Sequence, residues 1–166
     1  MFRYLLLLSF VIGFLFPPQS FGDSINITAG VGSKHFLPYK LNEDNGGAGI
    51  GYQYDYSENI AINADYLKFT NSYNIPTTFI GLTGSYTPLN YNDYKLGIFG
   101  GLVHNDGYCG FYNLCRNGDK KTDYLPIGGA MVQLDNLIIK GMALPNTKTN
   151  KIDAIVWSIS LKAMEF

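Results

Sequence analysis

Gly46-Gly47-Ala48-Gly49-Ile50-Gly51-Tyr52-Gln53-Tyr54-Asp55-Tyr56 is the stretch from which the fold can be read. Taken with period two, Ala48, Ile50, Tyr52, Tyr54 and Tyr56 share one face. Gly47, Gly49, Gly51, Gln53 and Asp55 share the other. Successive side chains point to opposite faces of a strand, whereas a helix would mix these sets. The apolar face ends in a column of tyrosines, and its opposite is bare backbone with polar groups. A transmembrane β-barrel needs that division: an apolar outer band with an aromatic girdle around an interior that tolerates polarity.

Similar segments lie on both sides. Ser24 to Lys34 sets Ile25, Ile27, Ala29 and Val31 against Asn26, Thr28, Gly30 and Gly32. Ile60 to Thr70, Thr77 to Thr87 and Asp93 to Val103 alternate in the same way. Tyr124 to Leu134, Leu137 to Leu144 and Ile152 to Phe166 complete a set of eight strands. Alternation is poorer in the last three, because Lys140 and Lys162 break whichever face is taken as apolar. Ser57-Glu58-Asn59, Pro88 to Asn92 and Asp135-Asn136 read as short turns. The loops 35–45, 71–76, 104–123 and 145–151 are longer, so long and short connections alternate. The expected fold is therefore all-β, an eight-stranded antiparallel up-and-down transmembrane β-barrel with its long loops facing outward. An even strand number leaves no unpaired edge in lipid. The main competitor is a soluble eight-stranded barrel of the lipocalin kind. It would turn the apolar face inward and leave the glycine-rich backbone in water.

Residues 1–22 read as a secretory signal peptide. Arg3 supplies the positive start, Tyr4 to Phe16 the apolar run, and Ser20-Phe21-Gly22 the small residues, Ser20 and Gly22, at −3 and −1 of a cleavage site before Asp23. The run is shorter than the ~20 residues that an uncleaved anchor would need to span. Residues 23–166 are then one exported domain, with the outer membrane as the expected location.

The 166 residues include 13 Tyr and 19 Gly, which favours strands and close backbone contacts over helices. A formal net charge of −1 removes the basic excess expected of a nucleic-acid binder. Cys109 and Cys115 fall in the longest loop, where an exported chain would oxidise them to a local staple. They are too few for a metal set, and neither metal nor cofactor is expected. A single-copy barrel in contact with membrane lipids is the expected assembly.

His35 closes the first strand and Ser72 opens the second long loop, so the topology puts both at the outer end. There they would form a base–nucleophile pair. By spacing alone, loop histidines and serines are more often simply solvated.

A family resemblance bears on that choice. The chain resembles the lipid A palmitoyltransferases over nearly all of 23–166. His35 matches the position of the family's essential His. Asn42-Glu43 and Gly46 to Gly51 are similar to its Asn-Glu and glycine-rich second strand. Lys68-Phe69-Thr70-Asn71-Ser72 is similar to the strand end carrying the catalytic Asp and Ser. Pro88-Leu89 and Leu96-Gly97 resemble a further turn and strand. Tyr124-Leu125-Pro126 and Leu144-Pro145 match prolines that loosen pairing beside a lateral opening. The resemblance implies transfer of an acyl chain from phospholipid to lipid A, with catalytic residues His35, Asn71 and Ser72.

Departures from the family are specific. No amphipathic helix precedes the first strand, and Asn45 stands where a proline would flank the other opening. Thr83 replaces a glycine at the floor of the acyl pocket. Asn71 replaces the catalytic Asp, a loss that costs about 10⁴ in rate in a triad. Glu43, Asp44, Asp106 and Asp123 are the outer-loop carboxylates available as substitutes. The alternative function is a non-enzymatic surface barrel that shields, stabilises or binds. In it Lys40, Arg116, Lys120, Lys121, Lys148 and Lys151 would meet lipopolysaccharide phosphates or form a solvated rim.

Overall fold

The computed structural model describes residues 22–36, 43–72, 74, 76–92, 94–106, 122–146 and 151–166. The signal-peptide reading, the Cys109–Cys115 staple and the rim residues Lys40, Arg116, Lys120, Lys121 and Lys148 lie outside the described residues. So do the side chains of Asp123 and Lys151. Eight strands form one closed barrel: β1 (Asp23–His35), β2 (Gly47–Ser57), β3 (Ile60–Thr70), β4 (Pro76–Tyr91), β5 (Tyr94–Asp106), β6 (Thr122–Leu134), β7 (Leu137–Asn146) and β8 (Lys151–Glu165). Every neighbouring pair is antiparallel, and β1 closes the ring against β8.

The founding stretch pairs as its alternation requires. Gly51 lies opposite Asp65 and Tyr52 opposite Ala64 in one register with β3. Its glycines leave room for neighbours: a Cβ at Gly51 would stand 2.3 Å from Asp65 Oδ1. The outer surface is an aliphatic band of Ile27, Ile50, Ile62, Ile80, Leu82, Ile98, Leu102, Ile159 and Leu161, all exposed. Exposed Tyr52, Tyr56, Tyr86, Tyr91 and Tyr94 lie towards the short-turn end of β2, β4 and β5. This is the polarity of a lipid-facing barrel and the reverse of a lipocalin-like one.

The lumen is divided. Towards the short turns it is lined by buried Ser24, Asn26, Gln53, Asn63, Ser85, Gln133 and Ser160. Towards the long loops, Phe79, Val103, Leu125 and Ile127 form an apolar cluster that continues through Phe99, Met131 and Ile138. Leu67, Phe69 and Leu144 pack against it. Lys140 enters from β7 and reaches Asp65 of β3, on the opposite wall, at 3.6 Å. It also lies 5.7 Å from the centre of the Phe99 ring. The lysine that broke the sequence alternation is thus an inward residue with a partner across the barrel.

Two expected boundaries are corrected. The turn expected at Pro88 to Asn92 is strand as far as Tyr91, since Leu89, Asn90 and Tyr91 pair with Leu96, Lys95 and Tyr94. A register shift between Tyr86 and Leu89 puts Pro88 in a bulge, where its missing N–H breaks no ladder bond. The chain reverses only at Asn92, whose φ of 42° suits a tight turn. At the other end of the barrel, β7 runs on to Asn146 past a shift at Leu144/Pro145.

Candidate active site at the long-loop rim

The first half of β1 points Ser24, Asn26 and Thr28 into the lumen. Continued without interruption, that alternation would keep even-numbered residues inside and turn Ser33 and His35 outward. The β1–β8 register instead shifts between Ala29 and Val31, leaving Gly30 as the extra residue. A bulge of one residue exchanges the faces beyond it. Ser33 is 2% exposed on the inner side, whereas Lys34 projects outward to Glu43. His35, two residues beyond Ser33, follows it inward.

Ser72 comes from the turn after β3, and the distance from its Oγ to His35 Nε2 is 2.5 Å. The expected base and nucleophile are therefore in direct contact. Ser33 Oγ lies 3.2 Å from the same ring nitrogen and 3.3 Å from Ser72 Oγ. Asn45, 2% exposed, stands behind them. Its Nδ2 donates to the Thr70 carbonyl at 3.0 Å and to Ser72 Oγ at 3.4 Å, and its Oδ1 accepts a short hydrogen bond from Ser33. Asn71 adjoins Ser72 at the start of the turn, where its backbone carbonyl accepts from the Asn74 N–H at 2.9 Å.

Among the proposed substitute carboxylates, Glu43 is committed elsewhere. Its Oε2 accepts from Lys34 Nζ at 2.8 Å and its Oε1 from the His35 backbone N–H at 3.3 Å. Those two bonds hold its carboxyl below the usual carboxylate range. Among the described residues, no group of three His, Cys, Asp or Glu side chains is placed to hold a metal ion. The sequence reading missed Ser33 and Asn45 as site residues. Ser33 carried a signal in its i, i+2 spacing from His35, which places the two on one strand face. Asn45 carried none, since its role depends on where the chain before β2 crosses β1.

Two ladders are incomplete at this end. The β6–β7 register spans only Gly128↔Ala143 to Leu134↔Leu137, so the long-loop half of β6, Pro126 included, pairs with β5 alone. The β1–β2 register stops at Ala29↔Ala48 and resumes only in the isolated Gly32↔Asp44 bridge. Glu43 to Asn45 covers β1 there, with the Ser33 N–H donating to the Glu43 carbonyl at 3.0 Å.

Solved structures similar to this chain include small outer-membrane barrels and designs of that kind. The N-terminal barrel domain of Pseudomonas aeruginosa OprF superposes with a TM-score of 0.56 at 12% identity, covering 89% of this chain and 100% of its own. Ail, the attachment invasion locus protein of Yersinia pestis, gives 0.51 at 15% identity over 87% of this chain and 98% of its own. Neisserial surface protein A gives 0.51 at 12% identity, over 85% and 96%. No protein-family model matches the chain, and no curated protein sequence matches it. At these identities the likeness shows the fold, a closed eight-stranded barrel of the outer-membrane type. The resemblance to lipid A palmitoyltransferases rests on the residues quoted above.

Proposed function

We propose that this chain is an outer-membrane acyltransferase that moves an acyl chain from a phospholipid to lipid A, with Ser72 as nucleophile and His35 as its base. The observation that carries this reading is the 2.5 Å contact between Ser72 Oγ and His35 Nε2 at the long-loop rim. In the proposed reaction Ser72 gives its proton to His35 as its oxygen attacks the ester carbonyl of the phospholipid. The carbon–oxygen bond to the glycerol then breaks, and the leaving alkoxide takes the proton from His35. A lipid A hydroxyl reverses the sequence: it passes its proton to His35, attacks the acyl-serine ester and frees Ser72. The broken β1–β2 and β6–β7 ladders support the reading, because a lipid must enter a barrel sideways and both interruptions lie at the rim that holds the site.

Mass spectrometry of lipid A from cells with and without the protein tests the proposal. Added acyl chains are expected with the wild type and should vanish in Ser72→Ala and His35→Ala. Asn71→Asp should raise activity, by restoring the charge that stabilises an imidazolium. Lipid A without an added acyl group in wild type and Asn71→Asp alike removes the enzyme reading.

One observation favours the second reading, a non-enzymatic surface barrel. Phe79 and Phe99 are 9% and 7% exposed, and with Val103 and Leu125 they occupy the space below the site where an acyl chain would lie. Under that reading the three substitutions are silent, and only changes to the long loops alter surface binding.

A further inference from the structure

Resting on the acyl-transfer reading of Ser72 and His35, we infer that Ser33 and Asn45 are positioning residues that set the order of protons around the imidazole. The Asn45 amide is held from two sides. The Thr70 carbonyl can only accept, so the nitrogen of Asn45 faces it at 3.0 Å. Its oxygen then faces Ser33 and takes the hydroxyl proton in a short hydrogen bond. A hydroxyl has one proton to give. With that proton on Asn45, Ser33 has none for His35, although its Oγ lies 3.2 Å from Nε2. Ser72, at 2.5 Å, is left as the one of the two serines that donates to the ring nitrogen. That order goes with the tautomer in which Nε2 is unprotonated, the form a general base requires.

The same groups serve the next step. Once the Ser72 proton has crossed, the new Nε2–H meets a Ser33 lone pair at 3.2 Å. The Asn45 N–H, 3.4 Å from Ser72 Oγ, faces the oxygen that has gained negative charge. Together the Ser33 hydroxyl and the Asn45 amide set which serine is the nucleophile.

The test uses the full chain in phospholipid nanodiscs with 15N-labelled histidine. His35 is assigned by its loss in His35→Gln, and spectra are recorded above the imidazole titration range. A long-chain alkyl fluorophosphonate is the probe of reactivity: the serine oxygen bonds to phosphorus, fluoride leaves, and His35 takes the serine proton. In wild type the Nε2 resonance should be that of an acceptor and the label should sit on Ser72. Asn45→Ala frees the Ser33 hydroxyl to compete, so the resonance should move and labelling should slow about tenfold, as for the loss of one ordinary hydrogen bond. Removing the competitor in Ser33→Ala/Asn45→Ala should return the resonance to its wild-type position, a rescue that a structural role for Asn45 would not produce. Should Asn45→Ala lose its heat-modifiability on gels, Asn45→Gly replaces it in both comparisons. An unmoved resonance in Asn45→Ala, no rescue in the double variant, or label on Ser33 overturns the inference. If wild type takes no label while the resonances follow this order, acyl transfer falls and the proton order stands. If Ser72 is labelled but the resonances ignore Asn45, the proton order falls alone.

Discussion

Gly32 has no room for a side chain. A Cβ there would stand 2.3 Å from Trp157 Nε1 and 2.5 Å from Cε2, because the indole of this cross-strand partner fills that space. Trp157 is 42% exposed and is the chain's single tryptophan, so its fluorescence reports this contact cleanly. Gly32→Ala should push the ring aside, shift its emission maximum and cost on the order of 1 kcal/mol, the value of a good cross-strand pair. Lys140 presents a different balance. Lys140→Met leaves the Asp65 carboxylate in the lumen without its 3.6 Å partner and should cost roughly 1–3 kcal/mol in urea unfolding. Lys140→Met/Asp65→Asn should be less damaging than Lys140→Met alone, since no unpaired charge is then left inside. At the site, His35 and Ser72 were legible as single residues from their places at loop edges. Their company was not: Ser33 and Asn45 enter through hydrogen bonds between separate segments, which no spacing encodes.

The Glu43–Asn45 segment is held to β1 by the Ser33 N–H bond to the Glu43 carbonyl and by the two bonds of the Glu43 carboxylate. The carboxyl titrates below its ordinary range in the folded protein, chiefly through the Lys34 hydrogen bond and next through the His35 backbone N–H. A group whose folded pKa is depressed contributes stability above its unfolded value and loses it as pH falls through the folded one. Docking of this segment should therefore persist at neutral pH and weaken only below about 4.5. Amide resonances of Ser33 and His35 in an acid titration should move together with a midpoint under that value, and Glu43→Gln should abolish the step. Both incomplete ladders belong to the same level of organisation. Pro126 and Pro145 marked one of them in the sequence through their missing N–H groups. The β1–β2 interruption carries no proline, and it arises where the Gly30 bulge meets the end of β2.

The closed ladder leaves each strand paired on both sides over most of its length, so the barrel should resist detergent until heated. Boiled and unboiled samples should migrate differently on a gel, and recovery of the chain as a soluble periplasmic protein would contradict the lipid-facing surface. Composition and two-residue periodicity determined this much by themselves: eight strands, their order, an apolar exterior and a rim that gathers the long loops. They could, because alternation is a local property and each strand reports its own two faces. Only the tertiary structure decided which face His35 joins. A single bulged residue, visible only in the pairing of β1 with β8, exchanges inside and outside for the five residues that follow it. The cross-lumen meeting of Lys140 with Asp65, and of Ser33 with Asn45 and Ser72, likewise depends on closure. It requires walls far apart in the chain to face each other, and periodicity along one strand holds no record of the strand opposite.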